Sequence, residues 1–481
     1  MSAPATGSNG DETLGLAFSR QRKAADTEGS PSLELRRDRL ERLIQLCVQN
    51  TAEIAAATQA DYGGARSLHM TYLTELFSKI GGIEHSRDHL AAWMAPEQRV
   101  TSPPFDATGA QSEVIYQPKG VVGIISPWNL PFGLSIAPLT SALAAGNRAM
   151  IKPSEFTPQT SALMTMLVSR YFAPEEVTVI TGEGDVGAAF SRLPFDHLLF
   201  TGSTRVGREI MRAAAENLTP VTLELGGKCP VIIGESADMA TTVTTLAFGK
   251  LMNAGQLCLS PDYVLVPADK QSEIAAALIA EASSMYPDPG NNPDLTGIIN
   301  DHHHARLTAL LDDAKSKGAK VTSAGTTPSD YNGRRMPLHV IEHVTPDMAI
   351  MQEEIFGPIL PIIGYSSLDE ALAFVAAREK PLGLYFFGTD QAEEERVLSG
   401  TCSGGVTVND ILQHYVQDDL PFGGIGASGM GAYHGRDGFL TFSHARSVFH
   451  QGTQTMAGMF RPPFGPELQG FLEGEFARRR T

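Results

Sequence analysis

Cysteine is scarce: there are four in 481 residues, Cys47, Cys229, Cys258 and Cys402, scattered without a CxxC pair or any other metal-ligand spacing. This excludes a disulfide framework and a cysteine-held metal, and so few thiols in so long a chain point to a reducing cytoplasm. Positive charge is also short. Against 54 acidic residues stand 37 basic ones, a formal charge of −17, which argues against a nucleic-acid or anionic-membrane partner and reads as a uniformly acidic surface. No apolar run reaches membrane-spanning length. Met1 to Gly15 is rich in Ser, Gly, Ala and acid and lacks a positive n-region and an apolar h-region, so it reads as a disordered tail rather than a signal peptide. No internal repeat of fixed period is present. What remains is a chain too long for one typical domain, in which two or more packed units are expected.

From Leu33 to about Met94, apolar positions recur at helical spacing (Leu40, Leu43, Ile44 and Cys47, then Leu73, Leu76 and Phe77), predicting an N-terminal helical layer in which core packing accounts for the pattern. Thr101 to Ala110 is Pro, Gly and polar rich, and the alternating Val114 and Tyr116 after it suit a projecting hairpin arm. Short apolar runs then alternate with amphipathic segments: Val121 to Ile125, Ala137 to Ala145, Ala149 to Lys152, Ser161 to Tyr171, Val177 to Ile180, Leu198 to Thr201 and Arg208 to Glu216. Such alternation predicts an α/β fold with a parallel sheet covered on both faces. A second series, from Cys229 to Ile233 through Tyr263 to Val266, Ile359 to Ile363 and Leu384 to Phe387, predicts a second α/β domain at 226–410. The Pro-rich stretch Phe460 to Pro466 cannot propagate a helix, and the segment after it is expected on the surface.

The chemistry concentrates in two segments. Cys258 closes Asn253-Ala254-Gly255-Gln256-Leu257-Cys258, and Glu224 opens Glu224-Leu225-Gly226-Gly227-Lys228, 34 residues earlier (258 − 224). A thiolate can add to a carbonyl and later leave, while a carboxylate can activate the water that releases the acyl product. A buried core thiol and a solvated strand-end acid are the competing readings. Around them, in order, stand Pro127-Trp128-Asn129-Leu130-Pro131, Lys152-Pro153-Ser154-Glu155, Phe200-Thr201-Gly202-Ser203, Glu354-Ile355-Phe356-Gly357-Pro358 and Pro421-Phe422-Gly423-Gly424. From about residue 15 to 450 the chain resembles the aldehyde dehydrogenases. Gly429-Met430-Gly431-Ala432-Tyr433-His434-Gly435 and Thr441-Phe442-Ser443-His444 are similar to the short class 3 branch. Met285-Tyr286-Pro287, Asn292-Pro293-Asp294 and Ile298-Ile299-Asn300 are similar to its bacterial coniferyl aldehyde dehydrogenases.

The resemblance implies a Rossmann-like cofactor domain at 16–225 with an oligomerisation arm at 105–119, a catalytic domain at 226–410, a small β oligomerisation and active-site segment at 411–450, and a C-terminal tail at 451–481. It implies Cys258 as nucleophile, Glu224 as base and Asn129 as oxyanion donor. The implied cofactor set is Ser126, Trp128, Lys152, Glu155, Gly202, Ser203, Gly207, Glu354 and Phe356. Phe200 to Gly207 independently reads as strand, turn and helix, whose N-terminal N–H groups suit a diphosphate. Gly182, Gly184 and Gly187 also spell GxGxxG, but a tight loop explains them as well. Glu155, opposite the adenosine ribose, favours NAD over NADP by repelling a 2′-phosphate, though class 3 relatives often accept both. A structural turn asparagine competes for Asn129, and core packing for Phe356; Trp128 reads as a wall. Asn409 takes only a supporting place beside the site. His302-His303-His304 lacks the i, i+4 spacing of a ligand pair, so no metal is expected and a solvated helix start is. Cys229 stands where the family more usually has serine, and its reactivity is open. Phe132, Leu257, Leu259 and His414-Tyr415 are expected tunnel walls. A small-molecule aldehyde, coniferyl aldehyde first and medium-chain aliphatic aldehydes second, is the expected partner, acted on by a cytoplasmic homodimer with no nucleic-acid or membrane partner. A coenzyme A-acylating relative and a non-catalytic binding protein are the other readings.

Overall fold

Strands that are buried along their whole length need cover on both faces, and Val121–Ile125, Arg148–Lys152 and His197–Thr201 are buried at every residue. The computed structural model describes residues 8–325, 334–455 and 457–480. These strands form the middle of a six-stranded sheet in the spatial order Gly429–Met430, Val221–Glu224, His197–Thr201, Val121–Ile125, Arg148–Lys152, Val177–Val179. All neighbours are parallel except the short first strand, which pairs Gly429 with Glu224 antiparallel. Five residues after Val221–Glu224 the chain enters a second sheet of seven strands: Lys320–Ser323, His339–Glu342, Ile359–Tyr365, Tyr263–Pro267, Pro230–Ile233, Gly383–Phe387, Gly405–Val408. Only Lys320–Ser323 is antiparallel there. Leu225 to Cys229 is therefore the crossing between the two sheets, immediately behind Glu224. A third, antiparallel sheet joins Glu97–Arg99, Gln111–Pro118 and Ser443–His450, so the expected arm is built from two distant pieces of chain.

The N-terminal layer holds the helices Leu33–Gln49, Thr51–Asp61, Leu68–Thr71 and Ser78–Met94, with Ser32 capping the first through Leu35 N–H. Between the last two lies a π-helical turn, Tyr72–Phe77, and it corrects the reading of that pattern. Leu76 is buried, but Leu73 and Phe77 are exposed at 46% and 75% and are not core. The wider turn instead buries Glu75, whose carboxylate accepts from Arg66 Nη2 (3.1 Å) and Gly133 N (2.6 Å).

Of the expected tail at 1–15, residues 1–7 lie outside the described residues, and Ser8 to Gly15 are helical. They begin the helix Ser8–Glu28, which sets Leu14 and Phe18 against Val121, Ile125 and Phe195 on the first sheet. Phe18 meets Phe195 edge-on at 5.4 Å. That apolar anchor is why a stretch of polar composition is ordered. The C-terminal segment carries a helix, Pro466–Arg478, starting on the proline and burying none of its residues.

Candidate active site

Glu224 ends its strand at the C-terminal edge of the first sheet, where its carbonyl accepts from Gly202 N (3.0 Å). Cys258 arrives from the second domain through an unusual turn. After the helix Met239–Leu251, three successive residues, Asn253, Ala254 and Gly255, take φ of 50°, 54° and 72°. Left-handed backbone costs roughly 1–2 kcal/mol at a non-glycine residue, so the turn needs other bonds to hold it. Buried Gln256 supplies them: Nε2 donates to Asn253 O (3.0 Å) and Gly297 O (3.1 Å), and Oε1 accepts from Ile299 N (3.0 Å). A Cβ at Gly255 would strike the Gly357 carbonyl. Strain of this kind fixes the Cys258 loop in one shape.

Asn129 is tied to the same turn. Its carbonyl accepts from Tyr62 Oη (3.0 Å), Arg66 Nη1 (3.1 Å) and Asn253 Nδ2 (3.1 Å), and its own Nδ2 donates to Gln256 O (3.0 Å). One of the two amide hydrogens is spent on that bond, leaving the second for the cavity that Asn129 and Cys258 line together. The cavity encloses about 690 Å³ and is walled largely by apolar groups, among them Leu73, Phe77, Leu130, Phe248, Met252 and Leu412. Leu257, Leu259 and Tyr415 line it as expected, but two expected walls do not. Phe132 is fully buried in the core, and His414 turns away to bond Thr407 Oγ1 through Nδ1 (2.7 Å).

Burial dominates the electrostatics. Glu224 is 1% exposed, neither carboxylate oxygen has a hydrogen-bond partner among the described residues, and desolvation raises its pKa well above the carboxylate range. Such a carboxyl takes up a proton readily, which suits a base. The Cys258 thiol is likewise pushed well above its ordinary value, first by burial and then by the charges of Glu224 and Glu354. Cys229 sits behind it: its Sγ contacts the Cys258 carbonyl (3.4 Å) and accepts from Gly383 N (3.3 Å). Cys229 is fully buried under the Cys258 loop, and desolvation raises its pKa, which disfavours a reactive thiolate.

The remaining predicted residues fall on two banks. On one, buried Lys152 ends its strand and donates to Glu155 Oε2 (3.1 Å), while Ser126 N donates to Lys152 O (3.1 Å) and Ser126 Oγ pairs with Ser135 Oγ (2.6 Å). Ser203 Oγ caps the helix Thr204–Ala215 at Val206 N (3.4 Å), Gly202 turns the chain into that helix, and Gly207 lets Leu225 pack directly on its backbone. The GxGxxG turn abuts this bank, a Cβ on Gly187 falling 3.8 Å from Lys152 Cε. On the other bank stand Glu354, Phe356 and Trp128. Trp128 meets Phe356 edge-on at 5.3 Å and lies 4.9 Å from His303, so His303 is not the solvated residue expected but half-buried against an indole. Lys228 Nζ bonds the carbonyls of Ile350 (2.8 Å) and Glu353 (3.0 Å), fixing the segment that carries Glu354. Asn409 lies outside the cavity lining; its amide clasps the backbone of Gly388 in both directions (2.9 Å each).

Glu354 Oε1 is buried without a partner among the described residues, its pKa is raised to about 8 chiefly by burial and then by Asp262, and its carboxylate lies against the bare Cα of Gly226. An orphaned acceptor on one bank, and a paired lysine and carboxylate beside a capped helix start on the other, fit the ribose hydroxyls and diphosphate of a dinucleotide. Among the described residues no group of three or more His, Cys, Asp or Glu is placed to hold a metal.

A sequence model described as the aldehyde dehydrogenase family matches residues 7–448. A Caulobacter vibrioides protein named "Probable coniferyl aldehyde dehydrogenase" is 50% identical over 465 residues, covering 95% of this chain and 96% of its own. A Pseudomonas protein named "Coniferyl aldehyde dehydrogenase" is 47% identical over 469 residues, covering 96% of each. Among solved structures, the substrate-bound Staphylococcus aureus AldH superposes with a TM-score of 0.90 at 37% identity, over 96% of this chain and 99% of that one.

Proposed function

The chain belongs to the aldehyde dehydrogenase family, whose members oxidise aldehydes to carboxylic acids with NAD(P), and within it we propose a coniferyl aldehyde dehydrogenase that uses NAD through a Cys258 thioester. The observation that carries the reading is one apolar cavity walled by Cys258 and Asn129, with the unpaired carboxylate of Glu224 buried beside it. The Cys258 thiolate adds to the aldehyde carbon, and negative charge gathers on oxygen. The spare N–H of Asn129 and the backbone N–H of Cys258 donate to that oxygen, worth about 3–4 kcal/mol per donor in comparable sites. A bound nicotinamide would supply the acceptor for the hydride that leaves the substrate carbon. Glu354 and Phe356 on one bank and Lys152, Glu155 and the Ser203 helix start on the other would hold the dinucleotide. A thioester on Cys258 remains. Glu224 takes a proton from the water that attacks it, the C–S bond breaks, and the acid leaves.

The two coniferyl aldehyde dehydrogenases similar to this chain support the substrate, and so do the aromatic walls Phe77, Phe248 and Tyr415, on which a flat conjugated ring can pack. The long apolar wall also favours a second reading, medium-chain aliphatic aldehydes. Glu224 with both oxygens free supports water over coenzyme A as acyl acceptor, and its presence together with Cys258 and Asn129 argues against a non-catalytic role. Ser443–His450, an edge strand carrying the half-exposed Phe449, supports a homodimer. The free thiols of Cys47, Cys229, Cys258 and Cys402 support a reducing cytoplasm. No helix among the described residues is long and apolar enough to cross a membrane. An aldehyde panel assayed by reduced-cofactor absorbance tests the substrate: kcat/KM for coniferyl aldehyde above that for hexanal is expected, and the reverse order would remove the coniferyl assignment.

A further inference from the structure

Every charge so far placed near Cys258 opposes its ionisation, for Glu224 and Glu354 are carboxylates and burial acts in the same direction. Lys228 is paired with Asp262, Lys152 with Glu155 and Arg66 with Glu75, while buried Lys250 points its ammonium to the Pro261 carbonyl (2.7 Å). We propose that Lys79, hydrogen-bonded to Tyr415 in the wall of the cavity, is a positioning residue that supplies the positive charge under which the Cys258 thiol ionises. The inference rests on Cys258 being the nucleophile.

The geometry comes from the π-helical turn. It ends at Phe77, two residues before Lys79, and sends that side chain inward, so that Lys79 is 5% exposed. Its ammonium donates to the Tyr415 hydroxyl and lies 4.2 Å from the centre of the Tyr415 ring. Tyr415 lines the cavity together with Cys258. Its chain packs against Gly133, where a Cβ would come within 3.2 Å of Lys79 Cε. A lysine buried only to fill space would be replaced at a gain by methionine, which carries no charge to desolvate.

Five ionisable groups face Lys79. Glu75 acts on it, but that carboxylate is already bound to Arg66 and Gly133 N. Asp418, from the segment that follows Tyr415, and the Cys258 thiolate both favour the ammonium. His434 is held neutral by burial and by Lys79 itself, and the Tyr415 phenol is kept protonated by burial. Burial lowers the Lys79 pKa to about 8. The favourable interaction is reciprocal: the charge that the Cys258 thiolate stabilises on Lys79 stabilises the thiolate equally. Lys79 is charged below about pH 8 and neutral above it, so its help to the thiol is present near neutrality and fades as pH rises through that value.

The test is the rate at which iodoacetamide alkylates Cys258 in the cofactor-free full-length enzyme, followed from pH 6 to 10 and assigned by peptide mass spectrometry. Lys79→Met is expected to slow the reaction at pH 7 about tenfold, equivalent to one unit of thiol pKa. Lys79→Gln, which can still bond the Tyr415 hydroxyl but carries no charge, should slow it equally, and Lys79→Arg should restore it to within about threefold. Lys79→Gln also serves if Lys79→Met does not fold, with NAD binding as the check of the fold. An unchanged pH profile in a folded Lys79→Gln protein, with the aldehyde-derived acyl group still found on Cys258, would overturn the role of Lys79 alone. An acyl group on another residue would instead overturn the nucleophile.

Discussion

Gly226→Ala adds one methyl group at the crossing between the two sheets, and that methyl would overlap the carboxylate of Glu354. Gly226 is not at a positive φ, so alanine strains nothing in the backbone. The colliding atoms are the far end of a flexible side chain, and the clash is relieved by rotating Glu354 away. The cost to stability is therefore small, about 0.5–1.5 kcal/mol for a displaced rotamer. The cost to function is larger. Above about pH 8, where Glu354 is ionised, a hydrogen bond to its charge is worth about 1.5–3 kcal/mol, so losing the proposed Glu354 bond to a ribose should raise the Kd for NAD about 10- to 150-fold. Fluorescence titration of NADH measures Kd, and thermal melting without nucleotide measures the fold. The double variant Gly226→Ala/Glu354→Ala decides the mechanism: if the methyl acts only by displacing Glu354, it adds nothing once Glu354 is gone. Unchanged affinity in Gly226→Ala, or fully additive losses in the double variant, would show that Glu354 does not hold the nucleotide in this way.

Glu155→Gln removes the charge that repels a 2′-phosphate, and the ratio of kcat/KM for NAD over that for NADP should fall about tenfold; a wild-type enzyme that strongly prefers NADP would contradict the place given to Glu155. Buried His197, whose nitrogens contact Lys119 Nζ (3.0 Å) and Thr222 Oγ1 (2.8 Å), has its pKa lowered to about 3 by burial and by Lys119. It stays neutral in the folded protein, while the unfolded chain takes up a proton below about pH 6.5, so this contribution is whole above that pH and is lost as pH falls from there toward 3. By pH 5 the loss is about 2 kcal/mol. His197→Gln should accordingly lose less Tm between pH 7 and pH 5 than the wild type, and equal losses would count against the buried neutral imidazole.

The candidate site residues were legible because each belongs to a short contiguous segment at a sheet edge or turn: Glu224 two residues before a pair of glycines, Gly202 before a helix, Asn129 between two prolines. Local rules of backbone conformation act over such distances. The alternation of apolar runs revealed both parallel sheets for the same reason. The cavity walls were not legible. Leu73 and Phe77 fit a helical core pattern, and only the π-turn, which sequence periodicity does not register, turns them outward to the cavity. Phe132 and His414 sit two and one residues from cavity walls, yet their direction is set by packing against the N-terminal layer and by Thr407, partners distant in the chain or invisible to a local pattern. Lys79 carried no signal at all, since its meaning depends on Tyr415, 336 residues away. His303 needed Trp128 to be in place before its burial could be read.

The central claim is that Cys258 carries the acyl group and Glu224 releases it. Glu224→Gln keeps the shape of the carboxyl but cannot take the proton of the attacking water. Rapid mixing of this variant with NAD and coniferyl aldehyde, followed by quenching and peptide mass spectrometry, measures both steps at once. One reduced cofactor formed per active site is expected, with slow or absent turnover thereafter and an acyl mass on the Cys258 peptide that Cys258→Ala abolishes. Full steady-state turnover in Glu224→Gln, or the acyl mass on any other residue, would contradict the claim.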